Sequence, residues 1–99
     1  MGLQVQESYV DATRGVRYGD TGWYEAFTDN RGRLFRALQR EYGRCTGRIY
    51  VDQRTPCERT AVAVGWCFAK RVPYDHPRRP GDTYLREVWV SVRTTPAVA

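Results

Sequence analysis

In 99 residues the chain has three cysteines, one histidine and one lysine, and these shortages exclude much chemistry. Three cysteines are too few, and odd in number, for a disulfide scaffold, so a reducing compartment is the default. Cys45, Cys57, Cys67 and His76 are separated by eleven, nine and eight intervening residues. Zinc ligands usually come in pairs two to four residues apart, so that one turn presents both. No metal or cofactor is therefore expected. His76 lies in a loop between Asp75 and Pro77, and sequence neighbours rarely form an oriented dyad. There is no G-x-S-x-G turn to expose a nucleophile, and Gly15, Gly19 and Gly22 are spaced as turn residues rather than as a phosphate cradle. Catalytic residues are absent by this reading, and the chain is not expected to be an enzyme.

Long apolar runs are missing too. The longest, Ala61 to Ala69, falls far short of the ~20 residues that a membrane helix needs. The opening MGLQVQESYV lacks the basic and apolar regions of a signal peptide, and Gln6 stands where myristoylation would want Ser or Thr. A cytoplasmic protein without a membrane partner is the expectation.

What remains suffices for one small domain. With 41% apolar and 27% charged residues the chain is neither disordered nor membranous. A chain of this mass buries about 65% of its unfolded surface, enough for one modest core. The domain is expected to span residues 1–94, with 95–99 as a flexible tail.

The net charge of +5 is uneven. Residues 1–30 are acidic on balance, whereas residues 31–59 hold eight arginines against Glu41, Asp52 and Glu58. A basic middle steers acidic partners. Yet fifteen of the sixteen basic residues are arginine, a bias that GC-rich coding produces without any ligand. The charge permits anion binding and does not by itself indicate it.

Element signals are clearest in the second half. Leu3–Val10 reads as a strand, and aromatic-rich Gly22–Thr28 as another, with Val16–Tyr18 able to pair with it as a hairpin. A helix follows, capped by Asp29 or Asn30 and ended by Gly43. Its Leu34, Phe35, Leu38 and Tyr42 share one face, and Arg33, Arg36 and Arg40 share the opposite one. Gly47–Gln53, Thr60–Pro73 and Thr83–Thr94 then form an antiparallel meander. The fold class expected is α+β, in the order ββαβββ, with the helix packed on one face of a mainly antiparallel sheet.

Alternation by size suggests a register. In the central strand Val62, Val64, Trp66 and Phe68 point one way, while Ala61, Ala63, Gly65, Cys67 and Ala69 point the other. Ile49 is expected opposite Val64, and Val51 opposite Val62. Val88 is placed opposite Trp66, Val90 opposite Val64 and Val92 opposite Val62, which sets Trp89 across Gly65 and Leu85 across Ala69. The same register brings Cys45 near Cys67, where an oxidised sample could join them. The helix is expected on the bulky face. Trp89, Leu85, Tyr50 and the alanines then make a smoother face, which the N-terminal strands cover or which another chain covers, most simply a second copy.

Two further features are candidates for recognition. The loop Pro73–Asp82 is long for a hairpin, stiffened by three prolines, and carries Arg78 and Arg79 at its tip. Its bland reading is a braced connector with solvated arginines. Arginines interleaved with Tyr and Trp also suit nucleic acid, although no established nucleic-acid-binding motif is present.

The run Val64-Gly65-Trp66-Cys67-Phe68-Ala69-Lys70-Arg71, then Pro73-Tyr74-Asp75, then Thr83–Val92, after a Gly47–Tyr50 strand, resembles small accessory proteins of phages that infect mycobacteria and related actinobacteria. The resemblance covers roughly the C-terminal half and implies no catalytic residues. It implies a non-enzymatic protein that binds a host protein and alters host growth or physiology. Leu85 and Trp89 would supply apolar burial to that partner, and Arg78 and Arg79 would meet its acidic groups. The alternative is sequence-nonspecific nucleic-acid binding through Arg33, Arg36, Arg40, Arg78 and Arg79. A homodimer is the third arrangement considered.

Overall fold

The structure is a computed structural model that describes residues 2–52, 62–74 and 81–95. The turn between the first two meander strands, most of the long loop with His76, Arg78 and Arg79, Cys57, and the last four tail residues lie outside the described residues.

Strand β1 (Leu3–Asp11) alternates as a half-buried strand should, with Leu3, Val5, Glu7 and Asp11 buried. Gly15, at φ 69°, turns the chain back into β2 (Val16–Asp20). Val16–Tyr18 therefore pairs with β1 and not, as expected, with the Gly22–Thr28 segment. That segment contributes only the two-residue β3 (Tyr24–Glu25), also paired with β1. Two hydrogen bonds hold it there: Thr21 donates its amide to the Glu7 carbonyl, and Ala26 donates to the Leu3 carbonyl.

Helix α1 (Arg31–Tyr42) starts where the Asn30 side chain accepts from the Arg33 amide at 3.0 Å. It ends at Gly43, whose φ of 105° suits glycine alone. A Cβ at Gly43 would also lie 2.7 Å from the Ala69 carbonyl oxygen. The chain then runs through β4 (Arg44–Asp52), β5 (Val62–Pro73) and β6 (Thr83–Thr94).

All strand pairings are antiparallel, in the order β2-β1-β6-β5-β4, with β3 beside β2 on β1. The fold is α+β, one helix on a mostly antiparallel sheet. Leu34 and Leu38 meet Leu3, Val5, Phe68, Val88, Val90 and Val92 in one core, flanked by Phe35, Tyr42 and Trp66. Each fully buried Val or Phe in that set stabilises the fold by about 1.5–3 kcal/mol relative to exposure. Arg33, Arg36 and Arg40 lie on the exposed side of the helix.

Three details differ from the register expected. First, β5 and β6 pair two residues further along: Phe68 with Val88, Trp66 with Val90 and Val64 with Val92. Trp89 therefore lies across Cys67, and Leu85 across Arg71. A slip of two preserves every face, so alternation cannot detect it. Contact decides instead, because this pairing sets the largest fully buried side chain, Phe68, against Val88.

Second, a bulge between Cys45 and Gly47 shifts the β4–β5 ladder by one residue. Ile49 then pairs with Gly65, Tyr50 with Val64 and Val51 with Ala63, one residue from the register expected. Thr46 sits in the bulge and donates its hydroxyl to the Cys67 carbonyl at 3.3 Å. Cys45 pairs with Phe68, next to Cys67, and both thiols are free.

Third, the N-terminal strands do not cover the smoother face. They extend the same sheet, with β1 joining β6 along its whole length, from Leu3–Thr94 to Asp11–Arg86.

Gly65 is buried where its strand approaches β6, and a Cβ there would overlap the Val90 backbone carbonyl. Gly65→Ala is expected to destabilise the fold by at least about 2 kcal/mol, because backbone atoms cannot yield as a side chain can. Urea unfolding of the two proteins measures this. An unchanged midpoint would mean that the two strands separate there at no cost.

Candidate functional site

Three surfaces carry chemistry, and each follows from how a single helix sits on long strands.

The first is the sheet face opposite the helix. Its centre is Trp89, 44% exposed, whose indole nitrogen donates to Glu87 Oε2 at 3.1 Å. Cys67 lies across from it and is buried. That burial pushes the Cys67 thiol pKa up, with Glu87 and Cys45 adding to the effect and the Thr46 hydrogen bond opposing it. Ser8 and Ser91 stand beside Trp89 in the ladder, and half-buried Leu85 lies further along β6. At one corner Arg93 lies 4.1 Å over the Trp23 ring and donates to Gln4. Of the residues expected to bind a partner, this face brings Leu85 and Trp89 onto one row.

The second surface lies on the helix side, beyond the end of α1. Five tyrosines run in contact there: Tyr42 on Tyr9, Tyr9 on Tyr18, Tyr18 on Tyr84, and Tyr84 stacked on Tyr74 at 4.7 Å. Arg86 lies 5.5 Å over Tyr42 and Arg14 5.2 Å over Tyr74. Beneath them are two buried carboxylates. Glu7 accepts from the Tyr24 hydroxyl at 2.9 Å and from Tyr9 at 3.4 Å, while its Oε1 has no donor. Asp11 accepts from the Tyr74 hydroxyl and from the Arg14 amide, both at 3.1 Å. A cavity of about 280 Å³ opens among Asp11, Arg14, Val16, Tyr18, Tyr74 and Tyr84.

Tyr18, Tyr24 and Tyr42 hold their protons tightly. Partial burial, then the hydrogen bond shared with Tyr84, pushes Tyr18 up to about 12. Burial and then the Glu7 carboxylate raise Tyr24 and Tyr42 further still.

The third surface is a groove of about 480 Å³ between the first turn of α1 and the β4 bulge. Phe35 and Trp66, edge to face at 5.1 Å, form its floor, and Arg31 and Arg48 flank it. Arg48 stands directly across from Trp66 in the ladder. Of the arginines expected to meet phosphate, Arg33, Arg36 and Arg40 are exposed on the neighbouring helix.

Glu7, Asp11 and the tyrosine row were not among the residues singled out from the sequence. A signal was present: the β1 alternation Leu3, Val5, Glu7, Tyr9, Asp11 sets acids at inward positions. The groove depended on the bulge, which has no sequence signature here. Among the described residues there is no group of three or more His, Cys, Asp or Glu able to hold a metal, and no helix long and apolar enough to cross a membrane. Comparison with known protein families, curated proteins and solved structures finds no match to the chain.

The raised tyrosines make stability depend on alkaline pH. Above the ordinary tyrosine value of 10.0 the unfolded chain loses phenolic protons that the folded chain keeps. The stability these tyrosines contribute is therefore full below pH 10.0 and is lost as pH rises towards and beyond 12. Urea midpoints are expected to hold level up to that value and then decline, less steeply in Tyr42→Phe. A wild-type midpoint still level at pH 11, or so within about half a unit, would contradict the buried phenol network.

Proposed function

We propose that the chain is a non-enzymatic binding protein that engages a partner protein through the open sheet face centred on Trp89. This is the mode expected of a phage accessory protein acting on a host protein in the cytoplasm of an infected bacterium. The observation that carries the reading is the place of Trp89: a large ring, 44% exposed, at the middle of a sheet face that the helix leaves bare. Tryptophan in such a setting is a common anchor of protein interfaces, where serine and charged neighbours form the polar rim. Leu85 on the same row adds apolar area, and Glu87 and Arg93 offer charge of both signs to fix the orientation.

The test compares wild type with Trp89→Arg as immobilised bait in nuclease-treated actinobacterial lysate at moderate salt. Because the ring is exposed, the variant keeps the fold, which far-UV circular dichroism checks. A discrete protein held by wild type is expected to fall at least ~10-fold with the variant, the loss typical of an interface anchor. Equal retention by both baits would sink the reading. Sedimentation of the purified protein adds a second check: a dimer that Trp89→Arg converts to monomer would assign the face to a second copy instead.

A further inference from the structure

The basic groove has a different character from the Trp89 face. Six arginines lie in the short stretch from Arg31 to Arg48: residues 31, 33, 36, 40, 44 and 48. All six are exposed. Among the described residues the ion pairs are Arg14 with Asp11 and Arg17 with Asp20, so none of the six is paired with a described carboxylate. By register Arg44 stands on the Trp89 face with Ala69, and the other five lie on the helix or beside it on β4. Guanidinium groups of one sign gathered there repel one another, and a polyanion relieves that repulsion. Charge complementarity therefore restricts the occupant to something strongly acidic.

The groove restricts it further. Between Arg31 and Arg48 the surface is not simply basic but opens onto the Phe35 and Trp66 rings, within a volume that accepts one flat aromatic unit. Arg48 and Trp66 stand opposite one another on adjacent strands, so cation and ring are presented side by side. Gly32 on one wall adds no side chain to crowd the approach. A carboxylate peptide would use the cations and leave the rings idle. A duplex would hide its bases from them. An unstacked base with its flanking phosphates uses both.

We propose that this groove binds single-stranded nucleic acid, with a base against Phe35 and Trp66 and adjoining phosphates on Arg31 and Arg48. Arg33, Arg36 and Arg40 on the neighbouring helix extend the track along the strand's path. The inference is independent of the Trp89 reading, since it uses the other face of the sheet and other residues.

The probe is a fluorescein-labelled dT12, followed by anisotropy against the full chain at several salt concentrations. Binding is expected to weaken log-linearly with salt. The Arg31→Ala/Arg48→Ala double variant should bind at least ~10-fold more weakly, with a log–log slope shallower by about 1.4, the value for two lost phosphate contacts. Both residues are exposed, so this variant tests the groove without touching the core. Trp66→Leu should weaken dT12 ~5-fold or more while leaving the salt slope unchanged, as loss of base stacking does. Three results would overturn the proposal: no dT12 binding at low salt, affinity indifferent to the double variant, or competition by polyglutamate equal to that by unlabelled dT12. The last would assign the groove to an acidic protein segment.

Discussion

A twelve-residue helix is about 18 Å long, while a twelve-residue strand spans about 40 Å. This mismatch governs the molecule. Helix α1 can shelter less than half the length of β5 and β6, and there is no second helix among the described residues to shelter the rest. Leu34 and Leu38 therefore close the core over Phe68, Val88, Val90 and Val92, and the sheet must end that core by other means. Gly43 and Gly65 matter for the same reason, since both permit backbone approaches that hold the one helix and the central strands close.

Beyond the helix the chain closes the sheet with tyrosines. Each ring offers apolar area to its neighbour and a hydroxyl to water or to a carboxylate, so a row of them can sit half-exposed. Glu7 and Asp11 lie under this row and are held by phenol hydrogen bonds rather than by full ion pairing. Burial first, and then the Glu7 carboxylate, makes Tyr24 and Tyr42 resist ionisation. The tyrosine row is thus an edge to the core that tolerates water on one side.

The two proposed interfaces divide along the sheet. The bare face gathers one tryptophan with serines and mixed charge, which suits a protein surface. The helix-side groove gathers unpaired arginines around aromatic rings, which suits a strand of nucleic acid. Arginine abundance alone argues for neither, because coding bias produces the same excess without any ligand. Its arrangement after folding is what separates the cations beside Phe35 and Trp66 from those spent on Asp11 and Asp20.

Local signals settled much of this fold. Asn30 and Gly43 marked the helix ends through cap chemistry, Leu34 to Tyr42 marked its inner face, and Thr83–Thr94 was legible as a strand from alternation alone. Period-two alternation assigns faces, so Trp89 and Leu85 were placed together correctly even though the ladder runs two residues from the register expected. What alternation cannot carry is distance along a ladder or an extra residue within it. The β5–β6 register was decided by Phe68 and Val88 meeting in a filled core, and the β4 faces by the bulge at Thr46. The partner of β1 is a further case: its apolar pattern fits any edge, and only the assembled sheet selected β6. Face and cap follow from neighbouring residues, whereas register, strand order and the groove follow from contacts between residues far apart in the chain, which exist only once the core has closed.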